Sequence, residues 1–203
     1  MSPASSTDPK SDTKEQILNA AERQFAQFGF AGTSLRALTR DAKVNLAAVH
    51  YHFGSKEELF KAVVRRVAQP IVQEQMRHLE ALEQLHSTPP VIEIIEAYVA
   101  RPLEMMFHKR EASCYLHGQF FGRCRTEPRP IQKLADIEFS ASSHKVLELL
   151  QKSLPHQSLT ELEFKLDLIV AMIVRVVMEM DNSEQVDEKI KRLVRFITSG
   201  ISV

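Results

Sequence analysis

The segment from residue 33 to residue 53 constrains the fold most, because it combines two short amphipathic helices with a tight turn. Thr33 or Ser34 can cap the first helix, which is expected to end near Asp41 or Ala42. A turn of three or four residues follows, and Asn45 can cap the second helix. Two short helices joined at this spacing predict a helix-turn-helix.

Helices are also predicted on both sides of this segment. Thr13 and Gln16 form a capping box, and the apolar residues that follow recur at helical spacing until Gly29 supplies a stop. Ser55 and Glu58 form a second capping box, which opens a longer helix. The start of the chain is therefore expected to hold three short helices before a long one.

The remainder of the chain also has a helical pattern. No segment alternates between apolar and polar residues as a β-strand would, and only six glycines and nine prolines occur among the 203 residues. Pro70 lies inside the fourth helix and is expected to bend it. Later prolines divide the rest into helices predicted at 91–108, 113–125, 131–153, 160–181 and 186–199. The sequence thus predicts an all-α fold of about nine helices.

The charges are balanced overall but unevenly distributed. The formal net charge is zero. From Lys10 to Arg66 there are ten Lys and Arg against six Asp and Glu, a local net of +4, whereas Val67–Val203 has sixteen against nineteen, or −3. A positive N-terminal part is compatible with a nucleic-acid partner, although many surfaces reach such a balance by chance.

Three consecutive stretches carry a family resemblance: GFAGTSLRALTRDAKVN, LAAVHYHF and GSKEELF. Over residues 13–62 the chain resembles the DNA-binding domain of the TetR family of bacterial repressors. The later helices are similar in layout to the ligand-binding and dimerisation domain of that family. The resemblance implies a disordered tail at 1–10, a three-helix helix-turn-helix DNA-binding domain at 11–56, and a helical ligand-binding and dimerisation domain at 57–203.

The second helix of the motif is expected to enter the DNA major groove with its first turn near the base edges. Arg36 and Tyr51 are expected to read bases, since the guanidinium fork of an arginine suits guanine. The residues predicted to contact DNA, some from the pattern and some from the resemblance, are Thr33, Ser34, Arg36, Asn45, Leu46, Ala48, His50, Tyr51, His52 and Lys56. Of these, Thr33, Ser34, His52 and Lys56 are assigned to phosphates.

Two positions depart from the family pattern. Lys43 stands in the turn where the family usually has glycine, and a left-handed conformation there would cost about 1 kcal/mol relative to glycine. His50 stands where the family usually has an aromatic residue, which weakens the case for a phosphate contact there.

Soft apolar side chains in the middle of the chain predict either a ligand cavity or an ordinary helical core. The family pattern favours an inducer cavity lined by Met105, Met106, Phe107, His117, Phe120, Phe121 and Phe139. Polar anchors for a ligand are offered by Arg101, His108, His117 and Arg123, although each is also a normal surface residue. The expected inducer is an apolar or amphipathic small molecule. The chain further resembles a subgroup that includes fatty-acid-responsive regulators, but drugs, aromatics or flavonoids would suit such a cavity equally.

The segment LDLIVAMIVRVVMEM, residues 166–180, is apolar almost all round and must be buried on more than one face. It can form a four-helix bundle with the last helix and the same pair from a second copy, as in the family, or it can be an internal core helix. The predicted dimer interface comprises Ile169, Ile173, Val176, Leu193 and Ile197.

Several other functional classes are not supported by the sequence. No catalytic motif is present, so an enzyme is not expected. His50 and His52 diverge on a helix, and Cys114 and Cys124 belong to no ligand cluster, so neither a metal nor a cofactor is expected. No apolar run is long enough for a membrane span, and the start lacks the apolar core of a secretory signal. A cytoplasmic, nucleoid-associated protein is expected.

The sequence therefore predicts a homodimeric, ligand-responsive repressor on a pseudo-palindromic double-stranded DNA operator. Its two recognition helices would be spaced by about 34–36 Å or a multiple of it. One alternative is an activator, or a DNA-binding regulator that needs no inducer. The other is a small-molecule-binding helical module in which the N-terminal motif is merely structural.

Overall fold

The computed structural model describes residues 9–108, 112–179 and 186–202, and these are helical apart from short connections. The helices are α1 (Pro9–Gly32), α2 (Leu35–Ala42), α3 (Leu46–Phe53), α4 (Lys56–Leu85), α5 (Val91–Ile95), α6 (Arg101–His108), α7 (Ala112–Thr126), α8 (Arg129–Ser153), α9 (Leu159–Glu179) and α10 (Val186–Ile201). A π-helical segment, Glu96–Ala100, joins α5 to α6. The all-α prediction is confirmed, and among the described helices none combines the length and apolar character that a bilayer crossing requires.

Some helix boundaries differ from the sequence prediction. Helix α1 begins at Pro9 and not at Thr13. Residues 1–8 of the predicted tail lie outside the described residues. Gly29 has non-helical backbone angles, φ 72° and ψ 178°, so the helix breaks at the predicted stop and the last residues of α1 follow across a kink. Helix α4 continues through Pro70 to Leu85, so the proline does not divide it.

The apolar side chains form two cores that share helices. The smaller core packs α1, α2, α3 and the start of α4 together, and it also includes Phe120 of α7. The ring of Phe60 on α4 lies 5.1 Å from that of Phe25 and 5.8 Å from that of Phe120, measured between centroids. The larger core is built from α4, α5, the π-helical segment, α6, α8, α9 and α10. Helices α4 and α8 therefore contribute to both cores, whereas the buried apolar residues of α7 belong to the smaller one.

Helices α7 and α9 approach each other closely at a glycine. A Cβ atom on the buried Gly118 would lie 2.6 Å from Cγ1 of Val177 on α9. Such a separation is far below van der Waals contact, so only a residue without a side chain permits this spacing. The packing fixes α7 against α9 and, through Phe120, fixes the N-terminal core against the rest.

Replacing Gly118 with alanine is expected to lower the free energy of unfolding by about 1–3 kcal/mol, because the new methyl group must displace Val177. Gly200→Ala is the matched control: nothing lies within 4 Å of a Cβ there, and alanine favours a helix, so stability should stay equal or rise by at most about 1 kcal/mol. Urea unfolding followed by circular dichroism measures both. Equal stability of the two variants would contradict the close α7–α9 packing.

Candidate functional site

The two short helices α2 and α3 are held by the caps that the sequence indicates. The side-chain oxygen of Ser34 accepts a hydrogen bond from the backbone N–H of Ala37 at 3.1 Å. That of Asn45 accepts from the N–H of Ala48 at 2.8 Å. Both capping predictions are confirmed, and the Ser34 hydroxyl proton and the Asn45 amide group remain able to donate outward.

The turn between these helices has the irregular backbone that its sequence indicates. Lys43 adopts the left-handed conformation, with φ 55° and ψ 38°. The N–H of Val44 then donates to the carbonyl of Thr39 at 3.0 Å, which closes the end of α2. Because a side chain is disfavoured in this conformation, the rest of the motif must hold the turn in place.

Helix α3 presents one open face. Leu46, Ala47, His50 and Tyr51 are exposed, and at 100° per residue they fall within about 140° of arc. Tyr51 is 74% exposed, whereas Val49 on the opposite side is fully buried. Arg36 on α2 is also exposed. The open face therefore carries Leu46, His50 and Tyr51 of the residues predicted to contact DNA, and Ala48 lies half-buried at its edge.

Thr33 is a correction to the predicted phosphate contacts. Only 2% of the residue is exposed, and its hydroxyl donates to the carbonyl oxygens of Gly29 at 2.8 Å and Gln24 at 3.0 Å. The side chain thus ties the end of α1 to the start of α2 and does not face solvent. His50 is exposed, but its Nδ1 lies 2.8 Å from the carbonyl of Gly54, which leaves Nε2 as its free nitrogen.

Lys56 opens α4 beside a cluster that joins the two halves of the chain. Its Nζ lies 4.5 Å from the centroid of the Phe30 ring, in a cation–π contact. Burial lowers the pKa of Lys56 below its ordinary value, and the nearby carboxylate of Glu127 opposes that shift. Glu127, between α7 and α8, also accepts a hydrogen bond from the N–H of Phe30 at 2.8 Å. Sequence reasoning missed Glu127, because nothing local marks a contact across 97 positions.

A second cluster joins α1, α4 and α7 around Glu22. This carboxylate is only 2% exposed, and Nε2 of His117 lies 3.0 Å from its Oε1. Arg66 pairs with its other oxygen. Burial raises the pKa of Glu22, but hydrogen bonding and charge attraction from His117 and Arg66 outweigh it and hold the pKa below its ordinary value. His117, predicted to anchor a ligand, therefore instead holds α7 to α1 within the N-terminal half.

A cavity of about 550 Å³ lies among α4, the π-helical segment, α6, α7, α8 and α9. That volume is within the range of small-molecule sites. Of the predicted ligand residues, Met106, Phe121 and Phe139 line it. Phe107 and Phe120 are instead buried in the two cores, and Met105 packs against the larger one.

The predicted polar anchors are not at the cavity. Arg101 pairs with Glu104 at 3.0 Å, and Arg123 lies beside Gly29. The side chain of His108 lies outside the described residues. The charged residues that do line the cavity are Arg125, Arg129, Lys133, Asp136, His144, Glu163 and Asp167. They were missed because helical spacing alone does not show which polar residues border an opening.

The predicted dimer residues lie mostly inside the protomer. Ile169, Leu193 and Ile197 are at most 8% exposed and belong to the larger core, which leaves little of them for a second copy. Ile173 and Val176 are half-buried, and Ile173 borders the cavity. The sequence prediction chose the inward side of α9 because this helix is apolar almost all round, and no polar face shows which side points inward.

Across residues 9–108, 112–179 and 186–202, no three His, Cys, Asp or Glu side chains are grouped to hold a metal ion. The capped pair α2 and α3, with an open face on the second helix, is instead the arrangement of a helix-turn-helix DNA-binding protein.

Two family models match the chain. Residues 17–63 match the model described as bacterial regulatory proteins, tetR family, and residues 96–200 match the tetracyclin repressor-like C-terminal domain. The second match alone covers more than half of the chain, so the protein belongs to the TetR family of transcriptional regulators. Its N-terminal match is to the DNA-binding helix-turn-helix part of these regulators.

Similarity to curated relatives is confined to part of each protein. The chain is 37% identical over 76 residues to the HTH-type transcriptional dual regulator CecR of Shigella flexneri, covering 37% of this chain and 34% of that relative. It is 33% identical over 76 residues to the HTH-type nicotine-responsive transcriptional repressor HdnoR of Paenarthrobacter nicotinovorans, covering 37% and 39%. The matches thus span about a third to two fifths of these relatives.

Solved structures share the whole fold. The fatty acid degradation regulator FadR from Bacillus halodurans has a TM-score of 0.67 and 15% identity, covering 96% of this chain and 97% of that one. The multidrug binding protein EbrR complexed with malachite green has a TM-score of 0.57 and 19% identity, covering 90% and 96%. Identities this low show the fold alone.

The Glu22 cluster gives a pH-dependent prediction. Glu22→Gln is expected to lower the free energy of unfolding by about 1–3 kcal/mol at pH 7, because Arg66 loses its buried charged partner. A carboxyl whose pKa is lowered by folding stabilises the protein above its unfolded pKa, near 4.5, and this contribution is lost as the pH falls through the folded value. Urea unfolding at pH 7 and pH 4 should therefore show a difference that shrinks at the lower pH; a constant difference would contradict it.

Proposed function

We propose that the protein is a homodimeric repressor that binds a pseudo-palindromic operator and releases it when a small molecule occupies the cavity. The observation that carries this proposal is the continuity of α4. The helix begins at Lys56 beside the helix-turn-helix and forms part of the cavity wall at Ile71 and Gln75. Its rise of 1.5 Å per residue places Ile71 about 23 Å and Gln75 about 29 Å from Lys56 along one helix.

Helix α7 provides a second connection between the cavity and the N-terminal core. Phe120 and Phe121 are adjacent in sequence but point to different places: the first packs in the N-terminal core, and the second lines the cavity. A ligand that shifts α4 and α7 would therefore move the recognition helix. Binding of the ligand would favour a dimer state in which the two recognition helices no longer match successive major grooves.

The proposed DNA contacts divide into two groups. Arg36 and Tyr51 are proposed to read base edges, since both are exposed and able to hydrogen-bond. Ser34, His52 and Lys56 are proposed to bind phosphates, with Lys56 at the N-terminus of α4, where the helix dipole also favours an anion. Such a protein would act in the cytoplasm, where bacterial DNA lies.

The second copy is proposed to dock on the outward face of α9. Phe164, Leu168 and Met178 are 60%, 47% and 50% exposed, and their spacing along α9 forms one apolar stripe. A stripe of this kind on an amphipathic helix is normally covered by another apolar surface. The interface proposed here therefore lies on the side of α9 opposite to Ile169, Ile173 and Val176, which the sequence predicted.

Ligand responsiveness is supported by the cavity and by what similar proteins are named for. HdnoR is called nicotine-responsive, and EbrR was solved with malachite green. The relative CecR is called a dual regulator, which favours activation as the second candidate function. Repression and activation differ in where the operator lies relative to a promoter, so DNA binding is tested first.

Selection of bound genomic fragments followed by shift assays tests the DNA-binding roles. Arg36→Ala is expected to relax the preference at one base step by about 1–3 kcal/mol. Lys56→Ala should weaken binding to all sequences and reduce the slope of log affinity against log salt by about 1.

Arg77→Ala is the control for these variants, because Arg77 is an exposed arginine on α4 that pairs with Glu74. Its operator affinity should equal that of the unmodified protein. Loss of affinity in all three variants, or in none, would contradict the assigned roles.

A charge in the α9 stripe tests the dimer. Leu168→Asp is expected to weaken self-association at least about 100-fold, since an unpaired carboxylate would be buried, and to lower operator affinity with it. Leu85→Asp is the control, because Leu85 is 75% exposed at the far end of α4. Light scattering measures the mass of each. A dimeric Leu168→Asp protein would rule out this face.

A further inference from the structure

Pro102 creates a hydrogen-bonding gap in the wall of the cavity. In an α-helix the carbonyl of Tyr98 would accept from the N–H of residue 102, and proline has no N–H. The π-helical segment Glu96–Ala100 lies at this point. The Tyr98 carbonyl accepts a hydrogen bond from a side chain: Nε2 of Gln75, on α4, donates to it at 2.9 Å.

This hydrogen bond fixes the orientation of the Gln75 amide. Reversing the amide would place Oε1 against the Tyr98 carbonyl, and two acceptors repel each other. Gln75 lines the cavity and is only 5% exposed. Its Oε1 has no hydrogen-bond partner among the residues that the structure describes. The cavity therefore contains a buried acceptor of fixed orientation without a donor.

The other polar groups near Gln75 are uncharged. The Tyr98 hydroxyl lies 3.5 Å from Oγ of Ser143, and both residues line the cavity. Burial raises the pKa of Tyr98, so its hydroxyl stays protonated at neutral pH. Of the charged lining residues, Arg125 is 20% exposed and its charge acts on the Tyr98 hydroxyl, but its guanidinium is already paired with Asp136 and Asp167, which are 46% and 76% exposed. The buried polar groups Gln75 and Tyr98 are therefore neutral, and the nearest lining cation is paired with two carboxylates.

We infer that the cavity selects a neutral, largely apolar molecule that donates a hydrogen bond, from a hydroxyl or an amide N–H, to Oε1 of Gln75. This inference rests on the proposed ligand-responsive function and names the ligand class. A ligand with a donor satisfies the buried acceptor, whereas one without it leaves the acceptor unsatisfied. A carboxylate at this position would place acceptor against acceptor and is disfavoured.

A matched pair of probes tests the donor requirement. 2-Naphthol and 2-methoxynaphthalene share the same ring system, and only the first carries a hydrogen-bond donor. Titration calorimetry with the full chain is expected to give 2-naphthol a binding constant at least about tenfold higher. Gln75→Met should erase this preference by weakening 2-naphthol binding while changing that of 2-methoxynaphthalene less than about threefold. Met106→Leu alters the apolar wall alone and should keep the preference.

The outcomes distinguish a failure of the inferred ligand class from a failure of the proposed response to a small molecule. Equal binding of both probes by the unmodified protein, or a preference that survives Gln75→Met, would overturn the ligand class and leave the proposed regulator standing. Binding of neither probe up to its solubility limit would overturn the cavity as a ligand site, and the proposed response to a small molecule with it.

Discussion

The packing of Phe60 between Phe25 and Phe120 is the contact on which the two halves of the molecule depend. It brings one aromatic ring from each of α1, α4 and α7 into the same core. The helix-turn-helix therefore does not bury its apolar surface alone but completes its core with a helix of the larger half. Because close-packed interiors transmit displacement instead of absorbing it, the orientation of the motif is tied to the position of α7.

Sequence reasoning succeeded where the structural cause is local. The caps at Ser34 and Asn45 and the left-handed turn at Lys43 each depend on a few neighbouring residues, so their identity was sufficient. It failed where the partner is distant. The Thr33 hydroxyl was assigned to DNA from the family resemblance, but its carbonyl partners depend on the bend at Gly29. His117 was assigned to a ligand from the family pattern, but its partner Glu22 lies 95 positions away in the sequence.

Apolar residues in the larger half show a different limit. Phe120 and Phe121 are chemically identical, yet one fills a core and the other borders a cavity. On α9, Ile169 faces inward while its neighbour Leu168 is 47% exposed. A periodic pattern identifies a helix, but a helix that is apolar on all sides does not reveal which side meets the protomer, the ligand or a second copy.

The bend at Gly29 has a consequence for exchanging domains within this fold. The carboxylate of Glu127 occupies the space that a side chain at position 29 would need, and it accepts a hydrogen bond from the next N–H in α1. A chimera that joins this helix-turn-helix, with its Gly29, to the effector half of another protein must therefore also carry a glutamate at the position of Glu127. Modularity in this architecture is set by such paired residues at the seam, not by the point at which the chain is cut.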